Sequence, residues 1–94
     1  MYFVYVLQSR KDGSLYTGFT NNVDRRVKNH NSGLNVSTRL KGPWLLIYSE
    51  SYIIKEDALG REKFLKSGRG KKYLDHQLKN FFHIHPRLKS LEST

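Results

Sequence analysis

Tyr2-Phe3-Val4-Tyr5-Val6-Leu7-Gln8-Ser9-Arg10-Lys11-Asp12-Gly13-Ser14-Leu15-Tyr16-Thr17-Gly18-Phe19 decides how this chain begins to fold. Residues 2–8 are aromatic and β-branched and read as a strand. Asp12-Gly13 marks a turn, and residues 14–19 read as the returning strand. Loop length sets what faces what. A four-residue loop, Arg10 to Gly13, uses a type I turn with Gly13 in the left-handed region and sets Tyr5 opposite Gly18, with Tyr16 diagonal on the same face. A two-residue Asp12-Gly13 loop keeps both phenols on one face but farther apart. A three-residue loop sends them to opposite faces, because a one-residue slip inverts the side-chain pattern. The four-residue loop is preferred, since Gly18 then leaves a hollow beside both rings.

Outward from this hairpin, Asn21, Asn22 and Asp24 offer caps for a helix running to about Asn31. Val23 and Val27 mark its inner side, and Arg26 and His30, four residues apart, project together beside it. Residues 34–43 are polar, basic and punctuated by Gly and Pro, as in a loop or short helix. Trp44-Leu45-Leu46-Ile47-Tyr48 reads as a third strand, fully buried by pattern. A second helix is expected over about 55–66, broken by Gly68-Arg69-Gly70, and a third over about Lys71–Asn80, with Leu74, Leu78 and Phe81 on one face. The expected fold is α+β: a small, mostly antiparallel three-stranded sheet flanked by helices, in the order ββ-α-β-α-α. One domain over 1–82 is expected, followed by a loosely ordered tail over 83–94 that contains Pro86.

Composition limits the function classes. A chain of 94 residues has room for one modest core. It has no cysteine, so neither disulfides nor thiolate metal sites are available. The apolar opening is short and reads as a strand, not a signal peptide, and no apolar run reaches the roughly 20 residues that span a bilayer. Seventeen Lys and Arg against eight Asp and Glu give a formal charge of +9, spread along the chain. A field of that sign attracts polyanions, of which nucleic acid is the commonest. No long helix joins a basic face to a broad apolar one, so a membrane surface is not the expected partner.

The residues that carry chemistry stand in a recognisable order. Val4-Tyr5, a ten-residue gap, then Tyr16-Thr17-Gly18 resembles the paired motif of the GIY-YIG nuclease superfamily. Arg26, ten residues after Tyr16, matches the family's helix arginine, and His30 follows where members carry His or Tyr. Ala58 to Lys66 resembles the family's glutamate-bearing helix, with Glu62 as the acid. The resemblance covers about residues 2–80 and is nearest the small, stand-alone bacterial members without an added DNA-binding domain. It implies a cytoplasmic endonuclease acting on DNA, repair included. Phe3 stands where the first motif has glycine, Phe19 where several members have lysine, and Leu74 where many carry asparagine.

The residues support that chemistry in their own terms. Hydrolysing a phosphodiester needs an activated water, charge relief at phosphorus and help for the leaving oxygen. A free phenol, with pKa about 10, is a poor base at neutral pH. His30 could accept the proton of Tyr5 as Tyr5 takes one from water. Arg26 offers a fork of donors matched to phosphate oxygens, and its charge keeps a neighbouring imidazole neutral. Glu62 could hold one hard divalent cation, Mg²⁺ or Mn²⁺, with phosphate and water completing the shell. Tyr16 would orient the water or the phosphate.

Each residue has an ordinary reading too. The tyrosines could be cross-strand aromatics, and Arg26 and His30 a solvated helix face. Glu62 falls between Ala58 and Leu59, near Leu65, inside the arc of its helix that should face the core, where an ion pair with Arg61 or Lys66 would be the structural reading. Together the five positions favour catalysis. Thr20 and Asn22 could present a helix N-terminus to phosphate, although capping is the ordinary role. Arg39, Lys41, Lys66, Arg69, Lys71 and Lys72 are candidates for a rim that binds the nucleic-acid backbone. His83 and His85 have strand-like spacing but no third zinc ligand in view. The expected function is a metal-dependent endonuclease on DNA, monomeric by default. The alternative is a weakly active or inactive nucleic-acid-binding module, on DNA or structured RNA.

Overall fold

The computed structural model describes residues 1–88; residues 89–94 lie outside the described residues. Three strands, β1 (Tyr2–Ser9), β2 (Leu15–Thr20) and β3 (Trp44–Tyr52), and four helices, α1 (Val23–Asn31), α2 (Lys55–Lys66), α3 (Gly68–Gln77) and α4 (Lys79–Ile84), follow in the order ββ-α-β-ααα. The sheet order is β2-β1-β3 with both pairings antiparallel, so the α+β expectation holds and the sheet is wholly antiparallel.

The hairpin takes the four-residue loop. Ser9 N donates to Ser14 O at 2.8 Å, Gly13 has φ +80°, and Tyr5 pairs with Gly18 while Leu7 pairs with Tyr16. The Asp12 carboxylate accepts from Ser14 N and Oγ, and those bonds hold its pKa down to about 2.

Because β1 is the central strand, both of its faces are buried. Val4 and Val6 point into a cluster with Ala58, Leu65 and Leu74 from α2 and α3. Tyr5 and Leu7 point the other way, against Trp44, Tyr16 and Val27 of α1. The sheet therefore separates a larger core layer from a smaller one that holds Tyr5 and Tyr16.

Four expectations need correction. β3 is not fully buried: it is an edge strand that runs to Tyr52 and leaves Leu45 and Leu46 more than a third exposed. An apolar run cannot by itself tell a two-sided from a one-sided strand. α2 ends at Lys66 as expected, but Gly68-Arg69-Gly70 is not a linker between helices. It forms the first turn of α3, capped by Ser67 Oγ, which accepts from Gly70 N at 3.1 Å. Gly70 sits there because α3 crosses the end of α2, where a Cβ would lie 2.5 Å from Leu65 Cα. α3 ends at Gln77, and α4 brings Phe82, rather than Phe81, against the main core.

The stretch beyond residue 82 is held as far as Leu88. Gln8 Nε2 donates to His85 O at 2.9 Å, Leu88 N donates to Gly13 O at 2.8 Å, and Arg87 forks onto Asp75 at 2.6 and 2.8 Å. These contacts concern residues 85–88 of the stretch expected as a tail; its last six lie outside the described residues. Among the described residues no helix is long and apolar enough to cross a membrane.

Candidate active site

Tyr5 is fully buried, and its ring lies across Gly18. A Cβ on Gly18 would sit 2.5 Å from Tyr5 Cζ and closer still to the hydroxyl oxygen. The missing side chain carries the phenol outward over β2, a strand that α2 also touches.

α1 supplies the next two groups. Asn22 caps it by accepting from Arg25 N at 3.0 Å, and Val27 seats it on the sheet. Its rotation sends His30 inward, 1% exposed, and leaves Arg26 at the surface. His30 Nε2 lies 2.9 Å from Tyr5 Oη, and Arg26 Nε donates to the same oxygen at 3.4 Å. Tyr16 completes the group by its ring, edge-on to His30 at 4.8 Å and tilted against Tyr5 at 6.4 Å.

Glu62 arrives from the other layer. It lies on the side of α2 that carries buried Ala58 and Leu65, half-buried, with Oε2 3.1 Å from Lys66 Nζ. It makes no hydrogen bond to the tyrosines or Arg26, yet its charge reaches Tyr5 and helps to raise the phenol's pKa. The exposed i,i+4 pair with Lys66 is of the kind worth about 0.3–0.5 kcal/mol, too weak to fix the carboxylate's role. Arg61, the other partner expected for it, turns away to Glu50.

The electrostatics follow from burial and this one cation. Burial pushes the Tyr5 phenol up, opposed by the hydrogen bond from Arg26 and reinforced by the negative charges that Tyr16 and Glu62 can carry. Burial, then the charge of Arg26, pushes His30 below its usual value. Near neutral pH the site therefore holds a protonated phenol against a neutral imidazole, with a permanent guanidinium beside them.

This has a checkable consequence. An NMR titration of His30 should give a midpoint below the usual 6.5, and Arg26→Gln should raise it toward that value. A group with a depressed folded-state pKa contributes stability above its unfolded value, so His30's contribution is lost as pH falls from about 6.5 through its lower folded midpoint. A wild-type midpoint at or above 6.5 would contradict this electrostatic account.

Among the described residues no three His, Asp or Glu side chains cluster as a metal cage. The donor set near the phenols is one carboxylate. That suits a hard cation that keeps water and takes substrate oxygens, as Mg²⁺ does, and it does not suit zinc.

The other candidate residues divide. Thr20 Oγ1 accepts from Asn22 N at 3.1 Å, so Thr20 and Asn22 organise the start of α1. Arg39 is exposed on the loop after α1, and Lys41 pairs with Asp12 at 3.6 Å. Lys66, Arg69 and Lys72 are exposed and Lys71 half-buried, on α2 and α3. The cations thus fall in two groups, one on each side of the sheet. His83 and His85 are exposed and join no metal-binding cluster among the described residues.

Two features escaped the sequence. Asn31, read as a helix end, clips the start of β3, accepting from Trp44 N at 2.6 Å and donating to Trp44 O at 3.1 Å. Glu50 gathers Tyr48, Tyr52 (2.7 Å) and the Arg61 fork (2.9 and 3.0 Å), while Arg61 stacks on Phe64 and Tyr73. Burial and the Glu50 bond push the Tyr52 phenol up to about 12. The signal was legible: Tyr48, Glu50 and Tyr52 alternate along one face of a strand.

The family model of the GIY-YIG catalytic domain matches residues 1–74. A UPF0213 protein of Clostridium perfringens is 46% identical over 67 residues, covering 70% of this chain and 71% of that protein. One of Staphylococcus epidermidis is 42% identical over 67 residues, covering 70% and 80%. The solution NMR structure of a UPF0213 protein from Bacillus halodurans superposes with a TM-score of 0.51 at 40% identity, covering 82% of this chain and 85% of that one.

Proposed function

Because this chain belongs to the GIY-YIG family, we propose that it is a metal-dependent endonuclease that hydrolyses DNA phosphodiester bonds by water attack. The observation that carries the reading is the three-way meeting at Tyr5 Oη, where His30 Nε2 at 2.9 Å and Arg26 Nε at 3.4 Å converge within reach of the charge on Glu62.

The roles follow from proton and charge bookkeeping. Tyr5 takes a proton from the attacking water as it passes its own to His30 Nε2. The neutral state of the buried imidazole keeps that nitrogen free to accept. Arg26 stabilises the phenolate as it forms, and its exposed remaining donors face the phosphate oxygens. Tyr16, ring-packed on His30, orients the water or the phosphate with its hydroxyl. Glu62 is the ligand for Mg²⁺ or Mn²⁺, whose charge, when bound, relieves negative charge at phosphorus and on the leaving oxygen. The basic residues Arg39, Lys41, Lys66, Arg69, Lys71 and Lys72 would hold the DNA backbone, with Thr20 and Asn22 at the helix end nearby. A single set of these groups nicks one strand per encounter. The same reading puts the work in the cytoplasm, with repair of DNA among its uses.

Purified protein with Mg²⁺ or Mn²⁺, tested against DNA flaps, forks, nicks, loops and single strands, should nick at least one class and stop when the cation is chelated. A protein that binds these DNAs with steep salt dependence but nicks none would overturn the reading in favour of a binding module. Tighter binding to duplex RNA than to DNA would point to structured RNA instead.

A further inference from the structure

We propose that Thr38 is a positioning residue that holds His30 in the tautomer with its proton on Nδ1, leaving Nε2 bare toward Tyr5. Thr38 lies in the loop between α1 and β3, yet its side chain is 1% exposed. Its Oγ1 is 2.7 Å from His30 Nδ1, on the opposite edge of the ring from Tyr5. The loop is held on both sides of it. Thr38 N and Oγ1 both reach Asn35 O, at 3.2 and 3.4 Å, and Thr38 O accepts from Trp44 Nε1 at 2.9 Å.

Hydrogen-bond accounting selects the direction of the relay. Arg26 can only donate, so its bond to Tyr5 Oη occupies a lone pair of that oxygen. The phenol's own proton then needs an acceptor, and among the described residues His30 Nε2 at 2.9 Å is the one in hydrogen-bond contact. Nε2 must therefore be unprotonated in the neutral ring, and the ring proton must sit on Nδ1. Thr38 Oγ1 completes the pattern, accepting from Nδ1–H while its hydroxyl proton turns to Asn35 O. The opposite tautomer would aim Nε2–H and Arg26 at the same phenol oxygen and strand the phenol's proton in a buried site. The orientation is also the one a proton acceptor for Tyr5 needs, since the proton leaving Tyr5 Oη goes to Nε2. A hydroxyl stands here in the place where other relays use a carboxylate, so it fixes the tautomer without adding negative charge.

The catalytic consequence rests on the endonuclease reading; the tautomer rests on the hydrogen bonds alone. The test uses ¹⁵N NMR of the imidazole in the wild type, Thr38→Val and Thr38→Ser, alongside kcat and KM for nicking. The wild type should show a protonated Nδ1 and an unprotonated Nε2. Thr38→Val keeps the shape but removes the acceptor, so the ring should shift toward the Nε2–H form and kcat should fall by roughly 10²-fold with KM little changed. Thr38→Ser should restore the tautomer and most of the rate. A merely structural role would not move the ring proton or be rescued by serine. A wild-type ring protonated on Nε2, or a Thr38→Val protein with unchanged tautomer and kcat, would overturn the proposal. A tautomer shift in Thr38→Val, in a protein that nicks nothing, would overturn the endonuclease reading and leave the assignment of Thr38 to the ring proton standing.

Discussion

Glu62→Gln should abolish cation-dependent nicking, by at least roughly 10²-fold, while leaving DNA binding and folding intact. The change keeps the shape of a half-buried side chain and removes only its charge. Its structural cost is small, since the pair lost with Lys66 is exposed on the lysine side and typical of pairs worth a few tenths of a kcal/mol. Its chemical cost is large, since among the described residues no cluster of three or more His, Asp or Glu could hold the cation in its place. Binding should be unchanged or slightly tighter, because one negative charge leaves a surface that meets phosphate. The Tyr5 phenol should also titrate lower once the neighbouring negative charge is gone. Nicking assays at several Mg²⁺ concentrations, with a binding isotherm at matched salt, separate these effects. A variant that nicks at the wild-type rate would remove Glu62 from the site.

The parts of this molecule that were legible beforehand are those whose reasons are local. Asp12-Gly13 places the turn, Gly18 selects the four-residue loop among three by leaving a hollow beside Tyr5, and Gly13 adopts the left-handed φ of +80° that this turn requires. α1 begins where Asn22 can cap it, and α2 spans the stretch its apolar spacing marks. The meeting of Tyr5 with His30 is an expectation that comes with the family resemblance; alternation and helical spacing alone leave His30 on a solvated helix face.

What was not legible depends on what lies across from a residue in space. Gly68 and Gly70 read as breakers, but Gly70 serves a crossing of two helices that no spacing announces. β3 reads as buried because its composition is apolar, yet the order β2-β1-β3 leaves it at an edge. Thr38 sits in an irregular loop with no period to mark it, and only the fold of that loop against Trp44 brings it to His30. These are all matters of which segments face one another, which spacing along the chain does not encode.

Gly18→Ala should damage both stability and activity, and the reason lies in space, not in backbone conformation. Gly18 does not have a positive φ; among the described glycines only Gly13 and Gly33 do. Alanine could adopt the backbone at Gly18, but its methyl carbon would stand 2.5 Å from Tyr5 Cζ, inside any real carbon contact. Tyr5 is fully buried beneath α1, and the rings of His30 at 5.8 Å and Tyr16 at 6.4 Å stand beside it to resist a shift. Overpacking of this kind costs about 1–3 kcal/mol, read as a drop in the urea midpoint. A phenol displaced by about 1 Å from His30 should lower kcat by roughly 10²-fold, even in molecules that remain folded. A double-mutant cycle isolates the cause. In a Tyr5→Ala background the methyl meets a vacated space, so the stability penalty of Gly18→Ala should shrink toward zero or reverse. A penalty of the same size in both backgrounds would show that Gly18 is needed by the strand itself, and would separate it from the placement of Tyr5.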